Sequence, residues 1–307
     1  MAVPLTVIVP TFNEERNVTR ALESVAGWAA RVCVVDSFST DRTLELCESF
    51  GDVCIVRHEF EDYGKQWNWA LDNLPIETEW VMKLDADEAV TPELRAEIEV
   101  ALRTAAPDVA AFAVWRKVIV MGKWLRHTVG KCYDVRMWRH RRARFEERSV
   151  NEHLVVDGRI RRLQAPLLHE DRKGISAWVW RHNRYSTLEA REYFRSANSK
   201  GPGPSGKGIT FRRFMKQCVW PWVPFKPLAH FLHLYVLRLG FLDGREGLAY
   251  AQLRYFYYYL IDLKKREHRR AERTPAQETA RRHRPDHLSR NTAASQEPVT
   301  WNNLSKS

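Results

Sequence analysis

The chain has 307 residues, 44% of them hydrophobic, and carries 49 Lys and Arg against 38 Asp and Glu, a formal net charge of +11. This composition excludes a wholly disordered chain and allows one or two globular domains, with a basic balance that favours anionic surroundings without naming them. The first residues lack the charged and apolar regions of a secretory signal, no run of 18 uncharged apolar residues occurs, and the five cysteines show no CxxC spacing, so a reducing, cytoplasmic setting is expected.

In chain order, residues 5–9 form an apolar, β-branched run ended by Pro10, Thr11, Phe12 and Asn13. The spacing of residues 14–25 predicts a helix with Val18, Ala21, Leu22 and Val25 on one face. A second strand is predicted over 31–35, ended by Asp36 and Ser37, and a second helix over 43–50 with Asp41 as its N-cap. A third strand (53–56), a third helix (66–74) and a fourth strand (80–84) follow. Continuous apolar strands alternating with helices imply a mostly parallel sheet covered on both faces, with ligands at the carboxyl ends of its strands. Those ends carry Thr11, Asn13 and Glu14, then Asp36 and Ser37, then Asp85 and Asp87. No glycine loop of the GxGxxG or GxxxxGK[ST] type is present to cradle a phosphate. Asp85-Ala86-Asp87 offers oxygen ligands that suit Mg²⁺ or Mn²⁺, and such an ion could neutralise a departing diphosphate. The plainer reading of the same stretch is a strand ending in solvated acids, with Glu88 and Thr91 starting the next helix.

Val7-Ile8-Val9-Pro10-Thr11-Phe12-Asn13-Glu14-Glu15, Val34-Val35-Asp36-Ser37 and Leu84-Asp85-Ala86-Asp87-Glu88 together resemble the nucleotide-sugar domain of family 2 glycosyltransferases. Met121-Gly122-Lys123-Trp124-Leu125-Arg126-His127, Tyr133 to Arg139, Val150-Asn151-Glu152-His153-Leu154 and Leu168-His169 narrow the resemblance to the lipopolysaccharide core β-1,4-glucosyltransferase subgroup. It covers residues 3–260 and implies an α/β fold: a Rossmann-like GT-A domain with a mostly parallel sheet, followed by a helical C-terminal region. It also implies roles. Pro10, Thr11, Asn13 and Glu14 would line the nucleotide pocket, and Asp36 would accept from the base or ribose of UDP. Asp85 would contact the ribose or a metal-bound water, and Gln66, Ala86 and Arg136 would complete the donor and substrate contacts. Asp87 and His169 would ligate Mg²⁺ or Mn²⁺, and Glu152 would be the catalytic base. On the residues alone, Asp36 could cap the turn over 40–43 and His169 could be a core histidine. Glu146 and Glu147 rival Glu152, and Arg126, His127 and Arg136 could be surface charges. Lys65 or Lys83 could supply positive charge near the nucleotide.

The expected reaction is inverting, metal-dependent transfer of a hexose such as glucose from a UDP-sugar to a hydroxyl of a lipid-linked or cell-envelope glycan acceptor. Transfer to polyprenyl phosphate is the runner-up. A basic nucleic-acid-binding module is a distant alternative that leaves the acidic strand ends unexplained, so no nucleic-acid partner is expected. The expected organisation is a catalytic domain over 1–200, a helical amphipathic region over 201–270 and a disordered basic and polar tail over 271–307. Val219 to Pro227, rich in Trp and Pro, a helix over 228–241 and the basic run Lys264 to Arg273 suit an anionic membrane surface. An ordinary core helix is the alternative there. The enzyme is thus expected to be peripheral at the inner face of the cell membrane.

Overall fold

The apolar runs near the N-terminus do become strands buried on both faces. In the computed structural model, which describes residues 2–146, 154–198 and 225–282, the first strand is β1 (Val3–Thr11), with residues 5–9 fully covered. It is followed by α1 (Val18–Glu23), β2 (Ala29–Asp36), α2 (Thr43–Glu48), β3 (Val53–Arg57), α3 (Tyr63–Asn73) and β4 (Trp80–Lys83). These four strands run parallel in the order β3-β2-β1-β4. One face of the sheet packs Leu5, Val7, Val34 and Met82 against Val18, Ala21 and Leu22 of α1. The other packs Ile8, Cys33 and Val81 against Trp67 and Ala70 of α3. Helices on both sides leave no polar face on the strands, which is why their sequence does not alternate.

The second half of the sheet is mixed. It comprises β5 (Glu88–Val90), α4 (Pro92–Thr104), β6 (Val109–Val120), β7 (Lys123–Trp124), β8 (Tyr133–Arg139), β9 (Ala143–Phe145), β10 (Leu154–Val156), β11 (Arg159–Arg162) and β12 (Leu167–His169). The strand β8 lies antiparallel between β4 and β6, and β12 runs parallel to β6 and antiparallel to β5. The order continues β4-β8-β6-β12-β5, and a separate two-stranded sheet joins β9 and β10.

Three local expectations are corrected here. The helix expected over 14–25 is only α1, because Asn13 takes a left-handed conformation (φ 52°) and Glu14 to Asn17 form a turn. That turn is closed by Asn17 and Val18 amides on the Glu14 carbonyl, at 2.8 and 2.9 Å. Glu88 does not start a helix but lies fully buried in β5, paired with His169 of β12, while Thr91 caps α4 by accepting from the Leu94 amide. A strand of three residues has no periodicity to show, and it exists only through its distant partner. The N-cap of α2 is Arg42, not Asp41 as expected; Asp41 stands one residue earlier and accepts from the amide of Thr43.

After β12 come α5 (Gly174–Asn198), α6 (Lys226–Leu232), a π-helical turn (His233–Leu237), a 3₁₀ turn (Gly240–Asp243) and α7 (Gly244–Arg282). The helix expected over 228–241 is thus broken, with Leu239 left-handed at φ 58°. Gly240 fits where a Cβ would stand 2.5 Å from the Leu234 carbonyl oxygen. The break lets Asp243, almost wholly buried, accept from the amides of His127 and Thr128 and from the Thr128 hydroxyl (2.7–3.2 Å). Asp243→Ala would leave these donors without their acceptor, and denaturant titration is expected to show a loss of about 2–4 kcal/mol, whereas a loss below about 0.5 kcal/mol would make the contact incidental.

The described residues up to Lys265 belong to one compact unit and those from Arg266 onward to a second. The expected boundary at 200/201 lies outside the described residues, as do Trp220, Trp222 and residues 283–307. The helix α7 continues through Arg282, into the segment expected as a tail. Among the described residues no helix is long and apolar enough to cross a membrane.

Candidate active site

The carboxyl ends of β1, β2 and β4, together with β8, β12 and the middle of α5, enclose a cleft of about 1270 Å³. Pro10, Thr11, Glu14, Gln66, Asp85, Ala86, Asp87, Arg136 and His169 all line it. Thr11 donates to Asp36 (2.9 Å), which is fully buried and also accepts from the amide and hydroxyl of Ser39. Asn13 accepts from the Thr40 amide on its side chain and donates its own backbone amide to the Ser39 hydroxyl. Asp36 and Asn13 therefore tie the two strand-end loops together from behind, and neither is part of the cleft lining. Gln66 joins this frame, bonded to His58 at 2.7 Å and donating to Ser37.

The acidic centre is asymmetric. Asp85 accepts from Arg136 at 3.0 Å and faces Lys83 at 3.9 Å. Burial alone would raise its pKa, but Lys83, Arg136 and Arg116 hold it well below the usual carboxylate range. Arg136, almost wholly buried, also donates to Glu88 (2.7 Å), and Glu88 in turn accepts from the Asp85 amide. Burial pushes Glu88 up to about 7, against the pull of Arg136. The pair Arg136–Glu88 thus fixes the loop from below, so the acids are not the solvated strand end of the plainer reading.

Asp87 points the other way. The pairing of β12 with β5 sets His169 opposite Glu88, which brings its Nδ1 to 3.4 Å from Asp87 Oδ1. That Nδ1 is buried and makes no hydrogen bond. Burial would raise Asp87, yet His169 keeps it low; burial would lower His169, yet Asp87 raises it. A carboxylate beside an imidazole nitrogen with no partner is a donor pair suited to a divalent cation whose other ligands are phosphate oxygens and water. Among the described residues no group of three His, Cys, Asp or Glu side chains could hold a metal alone, so such an ion needs those further ligands.

Glu14 is held by Lys173 (2.5 Å) and Asn17, and its pKa is raised because burial outweighs Lys173. Arg181 of α5 pairs with Asp171, and the hydroxyls of Tyr63 and Tyr185 bond to each other across the cleft.

The sequence of residues 6–165, just over half of the chain, matches the family described as Glycosyl transferase family 2. The chain belongs to that family. It is similar to the lipopolysaccharide core biosynthesis glycosyltransferase LpsC of Rhizobium meliloti (strain 1021), 26% identical over 81% of this chain and 90% of that protein. It is also 25% identical to an uncharacterised glycosyltransferase of Rickettsia felis, over 86% of this chain and 89% of the relative. Among solved structures it resembles the mannosyltransferase PcManGT from Pyrobaculum calidifontis in complex with GDP-Man and Mn²⁺ (16% identity, TM-score 0.49, covering 86% and 87% of the two chains). Another is S. aureus TarS in complex with UDP-GlcNAc (17%, TM-score 0.46, covering 88% and 92%).

As a family 2 glycosyltransferase, the chain has the fold that its motifs imply, an α/β domain with a helical C-terminal region. Glu152 and Glu147 lie outside the described residues, while Glu146 is described. Of the two lysines expected near the nucleotide, Lys83 faces the cleft over Trp67, and Lys65 pairs with Glu61 away from it. Arg126 stacks on Trp124 and His127 gives its amide to Asp243, so neither reaches the cleft, unlike Arg136. Sequence reasoning named Glu88 but not its buried pairing with Arg136, and it missed Arg116, Arg181 and the Tyr63–Tyr185 pair as site residues. The i, i+4 spacing of Arg181 and Tyr185 could have pointed to α5.

Proposed function

We propose that this glycosyltransferase performs an inverting, metal-dependent transfer of a hexose such as glucose from a UDP-sugar to a hydroxyl of a lipid-linked or cell-envelope glycan acceptor. The observation that carries this reading is the Asp87–His169 pair, with its unpartnered Nδ1, beside the fixed Asp85–Arg136 ion pair in the cleft. The likeness to LpsC over most of both chains supports a cell-envelope acceptor.

In this reading Pro10, Thr11, Glu14 and Gln66 shape the nucleotide end of the cleft, with Asp36 and Asn13 holding its loops. Arg136 and Glu88 orient Asp85 toward the donor. A Mg²⁺ or Mn²⁺ ion held by Asp87 and His169 would offset charge on the departing diphosphate. Glu152 removes the proton from the acceptor hydroxyl as that oxygen attacks the anomeric carbon. A single displacement inverts the centre, and no carboxylate nucleophile is needed. Slow hydrolysis of UDP-α-glucose with Mg²⁺, followed by proton NMR, should release β-glucose first. Initial α-glucose would exclude inversion, and no turnover of any UDP-sugar in a panel would reject the donor class.

The reading places the enzyme at the inner face of the cell membrane, as a peripheral protein. Supporting it, Phe225, Leu228, Val236, Leu237, Phe241 and Leu242 are exposed, with Phe225 at 82% and Leu237 at 75%. An exposed apolar surface of this kind marks an interaction site, and Lys and Arg residues of α7 follow it in sequence. Cations near an anionic leaflet add about 1 kcal/mol each, screened within a Debye length, while buried rings add a salt-insensitive part. The protein should therefore sediment with vesicles containing anionic lipid, and high salt should release only part of it. Phe225→Glu with Leu237→Glu should make release by salt complete. Unchanged sedimentation of this double variant would remove the apolar surface from the account.

A further inference from the structure

Among the described residues, the guanidinium groups of the cleft lining that are buried or half-buried are matched by carboxylates, with a telling exception on α7. Arg136 has Asp85 and Glu88, Arg116 has Asp134 at 2.9 Å, and Arg181 has Asp171 at 2.7 Å. Arg254 also lines the cleft and is half-buried, yet the groups that act on its charge are tyrosines. It lies 5.3 Å from the ring centroids of both Tyr257 and Tyr258 and bonds weakly to the Tyr258 hydroxyl (3.4 Å). Among the described residues no carboxylate pairs with it.

A guanidinium cannot shed its proton to escape burial. A desolvated charge without a counter-ion is costly, and attraction to two tyrosine faces offsets only part of that cost. The neighbouring His182 does not help, since an imidazole is at most neutral or cationic; burial, with Arg181 and Arg254 nearby, lowers its pKa to about 4. Among the described residues nothing supplies the counter-charge, and an anionic group entering the cleft would.

We infer that Arg254 anchors an anion subsite in the substrate cleft, one that takes a phosphate or carboxylate group of a bound substrate. The inference rests on the reading of this cleft as the site of sugar transfer. A planar fork suits two oxygens of such a group. Two sources share this chemistry: the diphosphate of the donor, and a phosphate or carboxylate carried by the acceptor. Arg184, exposed on the same wall over Phe60, extends the positive surface toward solvent, along which an anionic substrate would approach.

The test uses the full chain without metal and titrates inorganic phosphate, UDP and uridine into wild type and Arg254→Met. Wild type should bind phosphate saturably, and the variant should lose at least roughly tenfold in affinity, as expected for a charge-assisted hydrogen bond. If phosphate still binds when UDP is saturating, the subsite belongs to the acceptor. If UDP displaces phosphate, and UDP but not uridine weakens in the variant, the subsite holds the donor diphosphate. Either pattern supports the subsite. In phosphate-free buffer Arg254→Met should unfold at the same temperature as wild type or higher, because an uncompensated charge is gone. Arg254→Lys should recover part of the phosphate binding. A variant that binds phosphate and UDP as wild type does would overturn the inference, and so would one that fails to fold or melts well below wild type, since Arg254 would then be a packing residue. Phosphate binding lost in the variant, with no nucleotide sugar turned over by wild type, would leave the subsite standing and reject the transfer reaction.

Discussion

Asp87→Asn is expected to abolish sugar transfer while leaving the fold intact. The side chain of Asp87 meets His169, and no other charged side chain pairs with it among the described residues. Its backbone carbonyl, which accepts from Arg20 and from the Glu170 amide, is untouched by the change. What the substitution removes is the negative charge opposite His169 Nδ1. An ion that offsets charge on a leaving diphosphate supplies several kcal/mol of transition-state stabilisation, so turnover should fall about 10³-fold or more. Nucleotide release measured with Mn²⁺, alongside thermal unfolding, checks both halves. Near-normal turnover would take Asp87 out of the mechanism, and a collapse in unfolding temperature would make its role structural.

Glu152→Gln should keep donor binding and lose transfer. A general base contributes roughly 10²–10⁴-fold to the rate, and the amide cannot accept the proton. Glu146→Gln and Glu147→Gln are the informative comparisons, because all three acids lie within seven residues of sequence. Transfer by each variant, measured at saturating UDP-sugar, separates them. If either comparison variant is the crippled one and Glu152→Gln is not, the base has been misassigned.

The parallel half of the sheet was legible because each of its strands is a continuous apolar run, and burial on both faces demands that pattern. Asp85 and Asp87 could be read as a site since they end such a strand. What one carboxylate does differently from the other could not. That difference comes from Arg136 on β8 and His169 on β12, brought in by strand pairings across about 50 to 80 residues of sequence. Glu88 was misread for the same reason: its three-residue strand has no local signature and depends on β12 for its existence. Asp36 looked like a ligand-facing acid, yet its oxygens accept from Thr11 and Ser39 behind the cleft. The broken helix over 228–241 escaped pattern reading because apolar periodicity persists through residues 233–237, while the break is imposed by Gly240 approaching the Leu234 carbonyl and by Asp243 reaching His127 and Thr128. Arg254 sits in a tyrosine-rich helix whose composition signals packing, and what sets it apart is that no carboxylate pairs with it among the described residues.

The central claim is that Asp87 and His169 together hold a divalent cation against a nucleoside diphosphate. Calorimetric titration of UDP into the full chain, with Mn²⁺ and again with EDTA, tests it most directly. The account predicts that UDP binds at least roughly tenfold tighter with Mn²⁺, a gain of about 1.4 kcal/mol, and that His169→Ala and Asp87→Asn each abolish the difference. UDP binding of equal strength with EDTA, or a metal effect that survives both substitutions, would contradict it.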